Sequence, residues 1–162
     1  MKYVFLTLLS LVFLMGTAFT CAYKNKGPYQ SSVVEHKSDK SMETRKIKVK
    51  VGSKIFTATL QDNKTGKAFL ELLPLTIKMT DLHGNEKYYD LPSNLPINSS
   101  KPGTIKNGDL MLFGSRTVVL FYKGFSTPYS YTRIGRIDDT AGLEAVLGSA
   151  NVTVSFELDQ RK

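Results

Sequence analysis

Residues 108–139 read GDLMLFGSRTVVLFYKGFSTPYSYTRIGRIDD, and the order of apolar runs within them decides the fold. Asp109 to Phe113 and Thr117 to Tyr122 are strand-like and face each other across Gly114-Ser115. An aromatic-rich loop follows, and Arg133 to Ile137 makes a third strand. Short strands joined by tight turns pair antiparallel, because parallel pairing needs a long crossover between strands.

Working outward, the same pattern repeats. Lys46, Lys48 and Lys50 alternate with Ile47, Val49 and Val51, as in a half-buried strand with a solvated lysine face. Lys54 to Leu60 follows after Gly52-Ser53, and Gly at the first central position suits a type II′ turn. Asp62-Asn63-Lys64-Thr65 offers capping oxygens to a short helix expected over Thr65 to Leu72, which Pro74 ends. A second hairpin is expected from Leu75 to Leu82 and Glu86 to Leu91 around His83-Gly84-Asn85.

Pro92, Pro96 and Pro102 then mark a long irregular connection, read either as a functional loop or as a crossover over a barrel end. Asp138-Asp139-Thr140 is expected to cap a second helix carrying Leu143, Val146 and Leu147 and stopped by Gly148. Val152, Val154 and Phe156 close the chain as an alternating strand. Many short strands and two short helices predict a mainly β fold, a closed antiparallel β-barrel with two short α-helices.

The ends carry other information. Residues 1–20 read as a signal peptide: Lys2, then an apolar run from Tyr3 to Met15, then Gly16, Thr17 and Ala18. Residues 21–45 read as a polar tether and 46–158 as the barrel domain, about 115 residues that suit one core. Cys21 is the single cysteine, so no disulfide forms within the chain. Its place directly after the apolar run makes it a candidate lipidation site, which predicts an exported, membrane-anchored lipoprotein of a bacterial envelope. The residues before it, Ala18-Phe19-Thr20, fit that motif imperfectly, and plain cleavage with periplasmic or extracellular release is the alternative.

The net charge of +8 is concentrated partly in the tether, through Lys24, Lys26, Lys37, Lys40 and Arg45, where it favours anionic lipid surfaces. No dense basic stripe marks the domain, so nucleic acid is not expected as a partner. No metal-ligand spacing, catalytic triad or phosphate loop occurs, and no cofactor is expected.

Five blocks carry a resemblance: DNKTGKAFLELLP, MTDLHGNEKYYDLP, GDLMLFG, LFYKGFSTPYSYTRIGRIDD and GLEAVLGSANVTVSFE. Together they resemble the small bacterial cyclophilin-like domain family over about Lys46 to Leu158. The resemblance implies a barrel of about eight strands closed by two helices, related in shape to peptidyl-prolyl isomerases. It does not imply their activity. The Phe-His-Arg segment, the Gln-Gly-Gly run and the Trp or His of true cyclophilins are missing, and the two histidines here are His36 in the tether and His83 in a turn.

Candidate site residues cluster in the opening stretch. In an extended segment Tyr129, Tyr131 and Arg133 share one face, where an aromatic pair beside a guanidinium can grip a peptide or a planar ligand. The opposing reading has both tyrosines packed on the barrel and Arg133 neutralising a nearby carboxylate. Phe113 and Phe125 join the candidate ligand-binding set, while Met79, Met111, Phe121 and Tyr122 are read mainly as core. Asp109 and the Asp138-Asp139 pair are read as structural rather than acid-base groups.

Two functions follow. One is a non-catalytic module binding a peptide or small molecule. The other is a peptidyl-prolyl isomerase with Arg133 as amide donor, the candidate catalytic residue, followed by Arg136 and Arg116. A third reading, a structural subunit of an envelope complex, predicts an exposed apolar patch over Leu91 to Ile97.

Overall fold

The computed structural model describes residues 45–159. The expected signal peptide, Cys21 and all of the expected tether except Arg45 lie outside the described residues. Among those described, no helix is long and apolar enough to cross a membrane.

Alternation sets the first hairpin. In Lys46–Val51 (β1) the residues Ile47, Val49 and Val51 are buried, and in Lys54–Leu60 (β2) Phe56, Ala58 and Leu60 are. Val51 pairs with Lys54, which leaves the two-residue loop Gly52-Ser53. Gly52 has φ +58 while Ser53 is not in the positive region, as a type II′ turn requires.

The first helix, α1, spans Lys64–Leu70 and is shorter than expected at its C-terminal end. Asn63 caps it, accepting from the Gly66 amide at 2.7 Å. Leu75–Leu82 (β3) and Glu86–Asp90 (β4) form the second hairpin. Two strands of two residues, Thr104–Ile105 (β5) and Phe125–Ser126 (β8), were not foreseen; they pair with each other in a separate small sheet. Asp109–Phe113 (β6), Thr117–Phe121 (β7) and Thr132–Ile137 (β9) account for the opening stretch, and Val152–Leu158 (β10) for the last.

The barrel closes in the order β1-β10-β3-β4-β7-β6-β9-β2, with every pairing antiparallel. The seam between β2 and β9 depends on Gly135. A Cβ there would stand 2.7 Å from the Thr59 carbonyl oxygen, and backbone cannot yield as a side chain can.

The second helix, α2, covers Leu143–Leu147 and corrects the expected cap. Its N-cap is Gly142, with φ 79 and no side-chain cap. Asp139 instead accepts from the Ala141 amide at 2.9 Å, and Asp138 is drawn back to the barrel by Lys46 Nζ at 2.7 Å and Thr59 Oγ1 at 2.6 Å. The lysine at the start of β1 and the β2 threonine outcompete the helix for that carboxylate.

The long connection is a crossover held by its backbone. Leu91 and Leu95 amides donate to Arg116 and Ser115 carbonyls, and Ser100 exchanges two 3.0 Å bonds with Tyr131. Leu91 and Leu95 are buried and Ile97 alone is 61% exposed, so no apolar patch spans Leu91 to Ile97.

Two clusters of apolar side chains result. The barrel interior holds residues such as Ile47, Phe69, Leu110, Leu120, Ile134 and Phe156, with Phe69 and Phe156 meeting edge to face at 5.4 Å. The second lies on the outer face of β4, β6 and β7, where Ile105, Met111, Val119, Phe121 and Tyr131 pack together with Tyr88 and Phe125. The small β5-β8 sheet supplies Ile105 and Phe125 to this outer layer.

Candidate functional site

Strand alternation puts Glu86, Tyr88 and Asp90 on one face of β4, with Lys87 and Tyr89 on the other. Register places Tyr88 beside Val119 and Asp90 beside Thr117 on β7, and Phe113 of β6 also pairs with Thr117. Outside this wall rises the segment carrying Phe125, Tyr129 and Tyr131. Between them lies a cleft of about 470 Å³, completed by Leu82, His83 and Asn85 from the β3-β4 turn. That volume is within the range of small-molecule sites.

Aromatic rings form a continuous chain along the cleft and beneath it. Tyr129 meets Phe113 at 6.1 Å, Phe113 meets Tyr131 at 5.5 Å, Tyr131 meets Phe121 at 5.5 Å, and Phe121 meets Phe125 at 5.7 Å. Phe121 and Tyr131 are buried, which anchors the row, while Phe113 is 45% and Tyr129 61% exposed. Burial raises the Tyr131 phenol above its ordinary pKa, so it remains a neutral hydroxyl at neutral pH.

The cleft's charged groups are acidic. Glu86 is only 9% exposed, and burial raises its carboxyl pKa, with Asp81 adding to the effect and His83 opposing it. Asp90 is exposed and accepts from Thr117 Oγ1 at 2.6 Å. No lysine or arginine is among the described residues lining the cleft.

Of the expected ligand-binding set, Phe113, Phe125, Tyr129 and Tyr131 line this cleft and Arg133 does not. Arg133 sits one step further along β9 than the cleft, opposite Met111 rather than beside Phe113, and a bulge follows it. Leu110 pairs with Gly135 but Met111 pairs with Arg133, leaving Ile134 as an extra residue in β9. The side-chain alternation therefore slips by one, and Arg133 and Arg136 both approach Asp109 Oδ1, at 3.8 and 4.0 Å. Asp109 is buried, and its other oxygen accepts from the Lys106 amide at 2.9 Å. Arg116 lies at the β6-β7 turn, where its carbonyl accepts from Leu91.

Met79 and Tyr122 belong to the barrel interior, and Met111 and Phe121 are fully buried in the outer layer. Tyr122 donates to Asp81 Oδ1 at 2.6 Å. The same oxygen receives Lys87 Nζ at 2.5 Å, and that ammonium, with no exposure, also donates to the Gly148 and Ala150 carbonyls. This network plugs one barrel end. Asp81 Oδ2 accepts from the Gly84 amide, so the plug also fixes the turn that carries His83, itself at φ 54, into the cleft wall.

A second concavity, about 520 Å³, is lined by Lys54, Ile55, Phe56, Thr57, Asp138, Asp139 and Ala141. Its Asp138 is already engaged by Lys46 and Thr59. Among the described residues no cluster of His, Cys, Asp or Glu could hold a metal ion.

Sequence reasoning missed Glu86, Tyr88 and Asp90. Their alternation was legible once a strand was expected from Glu86, but the pairing of β4 with β7 was not.

A sequence model of the cyclophilin-like family matches residues 49–157. The chain belongs to the cyclophilin-like family. Two solved structures share this cyclophilin-like fold. One is McbB in complex with tryptophan, at TM-score 0.57 and 15% identity, covering 72% of this chain and 45% of McbB. The other is the hypothetical protein AF2241 from Archaeoglobus fulgidus, at TM-score 0.53 and 19% identity, covering 71% of this chain and 95% of that one. This chain thus spans under half of McbB's length. No curated protein matches the chain.

Proposed function

We propose that this cyclophilin-like domain is a non-catalytic binding module that holds a peptide segment or small molecule in the cleft between β4, β7 and the 125–131 segment. The observation that carries the reading is the aromatic row: Phe113 and Tyr129 remain open to solvent above a floor of buried rings. A planar or apolar group laid there buries surface at about 25 cal/mol per Å² without rearranging the wall. The complex of McbB with tryptophan is a property of that protein, and at this identity only its fold is shared.

Prolyl isomerisation, the alternative, must lower a barrier of roughly 20 kcal/mol and needs an amide donor in the pocket. Arg133 and Arg136 are directed at Asp109 instead, and the cleft wall offers neither. Binding is therefore preferred.

The chain has no tryptophan, so an indole-bearing peptide reports its own binding by fluorescence anisotropy. Saturable binding that weakens several-fold in Tyr129→Ala supports the module; binding untouched by that exposed-residue change argues against this cleft. A protease-coupled assay on proline peptides is expected to show no acceleration. Export, with Cys21 as a lipid anchor on a bacterial membrane, belongs to the same proposal: a palmitate analogue should label the wild type and not Cys21→Ser.

A further inference from the structure

The cleft selects for charge as well as shape, an inference that rests on the binding reading above. Glu86 is the informative residue. It projects from β4 into the cleft wall, it is 9% exposed, and no hydrogen bond or ion pair reaches its carboxylate among the described residues. A carboxylate this little exposed, open only toward the cleft and without a protein partner, is costly, and two neighbouring lysines are engaged elsewhere. Lys87 points to the opposite face and is held by Asp81, while Lys123 pairs with Glu144 at 3.2 Å. His83, in the adjoining turn, is the basic group whose charge acts on Glu86.

A second acceptor is also idle. Asn85, in the same wall, has an Oδ1 shut from solvent with no hydrogen-bond partner. The remaining wall is aromatic, with Tyr88, Phe113 and Tyr131 presenting rings whose faces attract cations. Asp90 adds a further negative charge at the rim. All this stands in a chain of net charge +8, so the acidity of the cleft runs against the charge of the whole molecule.

We infer that the cleft takes an organic cation, an ammonium or guanidinium group carried on an apolar or aromatic body, with Glu86 as the counter-charge. The cationic head sits against the Glu86 carboxylate and supplies the partner it lacks. The apolar body lies on Phe113, Val119 and Phe125. Anionic ligands are repelled by Glu86 and Asp90 together. The head can come from a small amine or from a basic side chain of a peptide, since both present the same chemistry.

Calorimetric titration of the full-length protein separates these cases. The probes are tryptamine, its neutral counterpart N-acetyltryptamine, and a capped peptide with lysine beside phenylalanine. Tryptamine is expected to bind at least about tenfold more tightly than N-acetyltryptamine, the scale of one charge-assisted contact. Glu86→Gln is expected to abolish that difference. The tighter binder of tryptamine and the lysine peptide identifies the source of the cation. Equal affinity for charged and neutral probes, or a preference that survives Glu86→Gln, overturns the inference while leaving the binding module intact. Failure of all three probes to bind overturns both.

Discussion

Arg133 Nη1 lies 3.8 Å from Asp109 Oδ1 on the outside of the barrel wall. Because Arg136 reaches the same oxygen at 4.0 Å, the bulge at Ile134 gathers two guanidinium groups on one buried carboxylate. The arginine most suited by sequence to act on a ligand is thus a neutralising group for the barrel.

Arg133→Ala is accordingly expected to leave ligand affinity within about twofold, since no cleft contact is lost, and to cost no more than about 1 kcal/mol of stability, the scale of a half-exposed ion pair. Asp109→Ala is expected to cost more, about 1–3 kcal/mol, because it removes the acceptor of the Lys106 amide and leaves a buried site unfilled. Urea unfolding of both variants checks the ordering.

The barrel-end plug makes a prediction about acid. Hydrogen bonds from Lys87 and then Tyr122 hold the Asp81 carboxyl below its ordinary pKa. A lowered folded-state pKa gives stability that is fully present above the ordinary carboxylate range and is lost as pH falls through the folded value. Asp81→Ala removes this and strands the Lys87 ammonium, which has no solvent exposure; a loss of about 3–5 kcal/mol at neutral pH is expected. Melting curves as a function of pH should show the difference between wild type and variant narrowing in acid.

Glu86 has the opposite sign. Burial raises its pKa, so its protonated form favours the fold, and that contribution is lost as pH rises through the folded value. At neutral pH the ionised carboxylate therefore weakens the fold. Glu86→Gln is expected to raise the melting temperature at neutral pH, with the gain fading in acid, while the same change removes cation preference. Stability gained at the expense of function is the signature of a site residue.

The barrel was legible where two signals agreed. Alternation over Ile47, Val49 and Val51 and a glycine at position 52 together specify both a strand and its turn. Where one signal was missing the structure departed from expectation. Thr104–Ile105 and Phe125–Ser126 are too short to show any period, yet they cover the outer aromatic layer. Nothing in TRIGRI marks Ile134 as an extra residue, so the gathering of Arg133 and Arg136 on one carboxylate was not legible. Asp138 and Asp139 have the composition of a helix cap, but Lys46 and Thr59, remote in sequence, claim Asp138 first. The cleft aromatics were recognisable by type, whereas Glu86 became visible only when β4 was placed beside β7.

The most direct test of the cleft is an amide chemical-shift map of the full-length protein titrated with tryptophan amide. The account predicts shifts at 82–90, 117–119 and 125–131, the backbone around Glu86, Val119 and Tyr131. Shifts confined to Arg133, Arg136 and Asp109, or to the Lys54–Thr57 concavity, would contradict it.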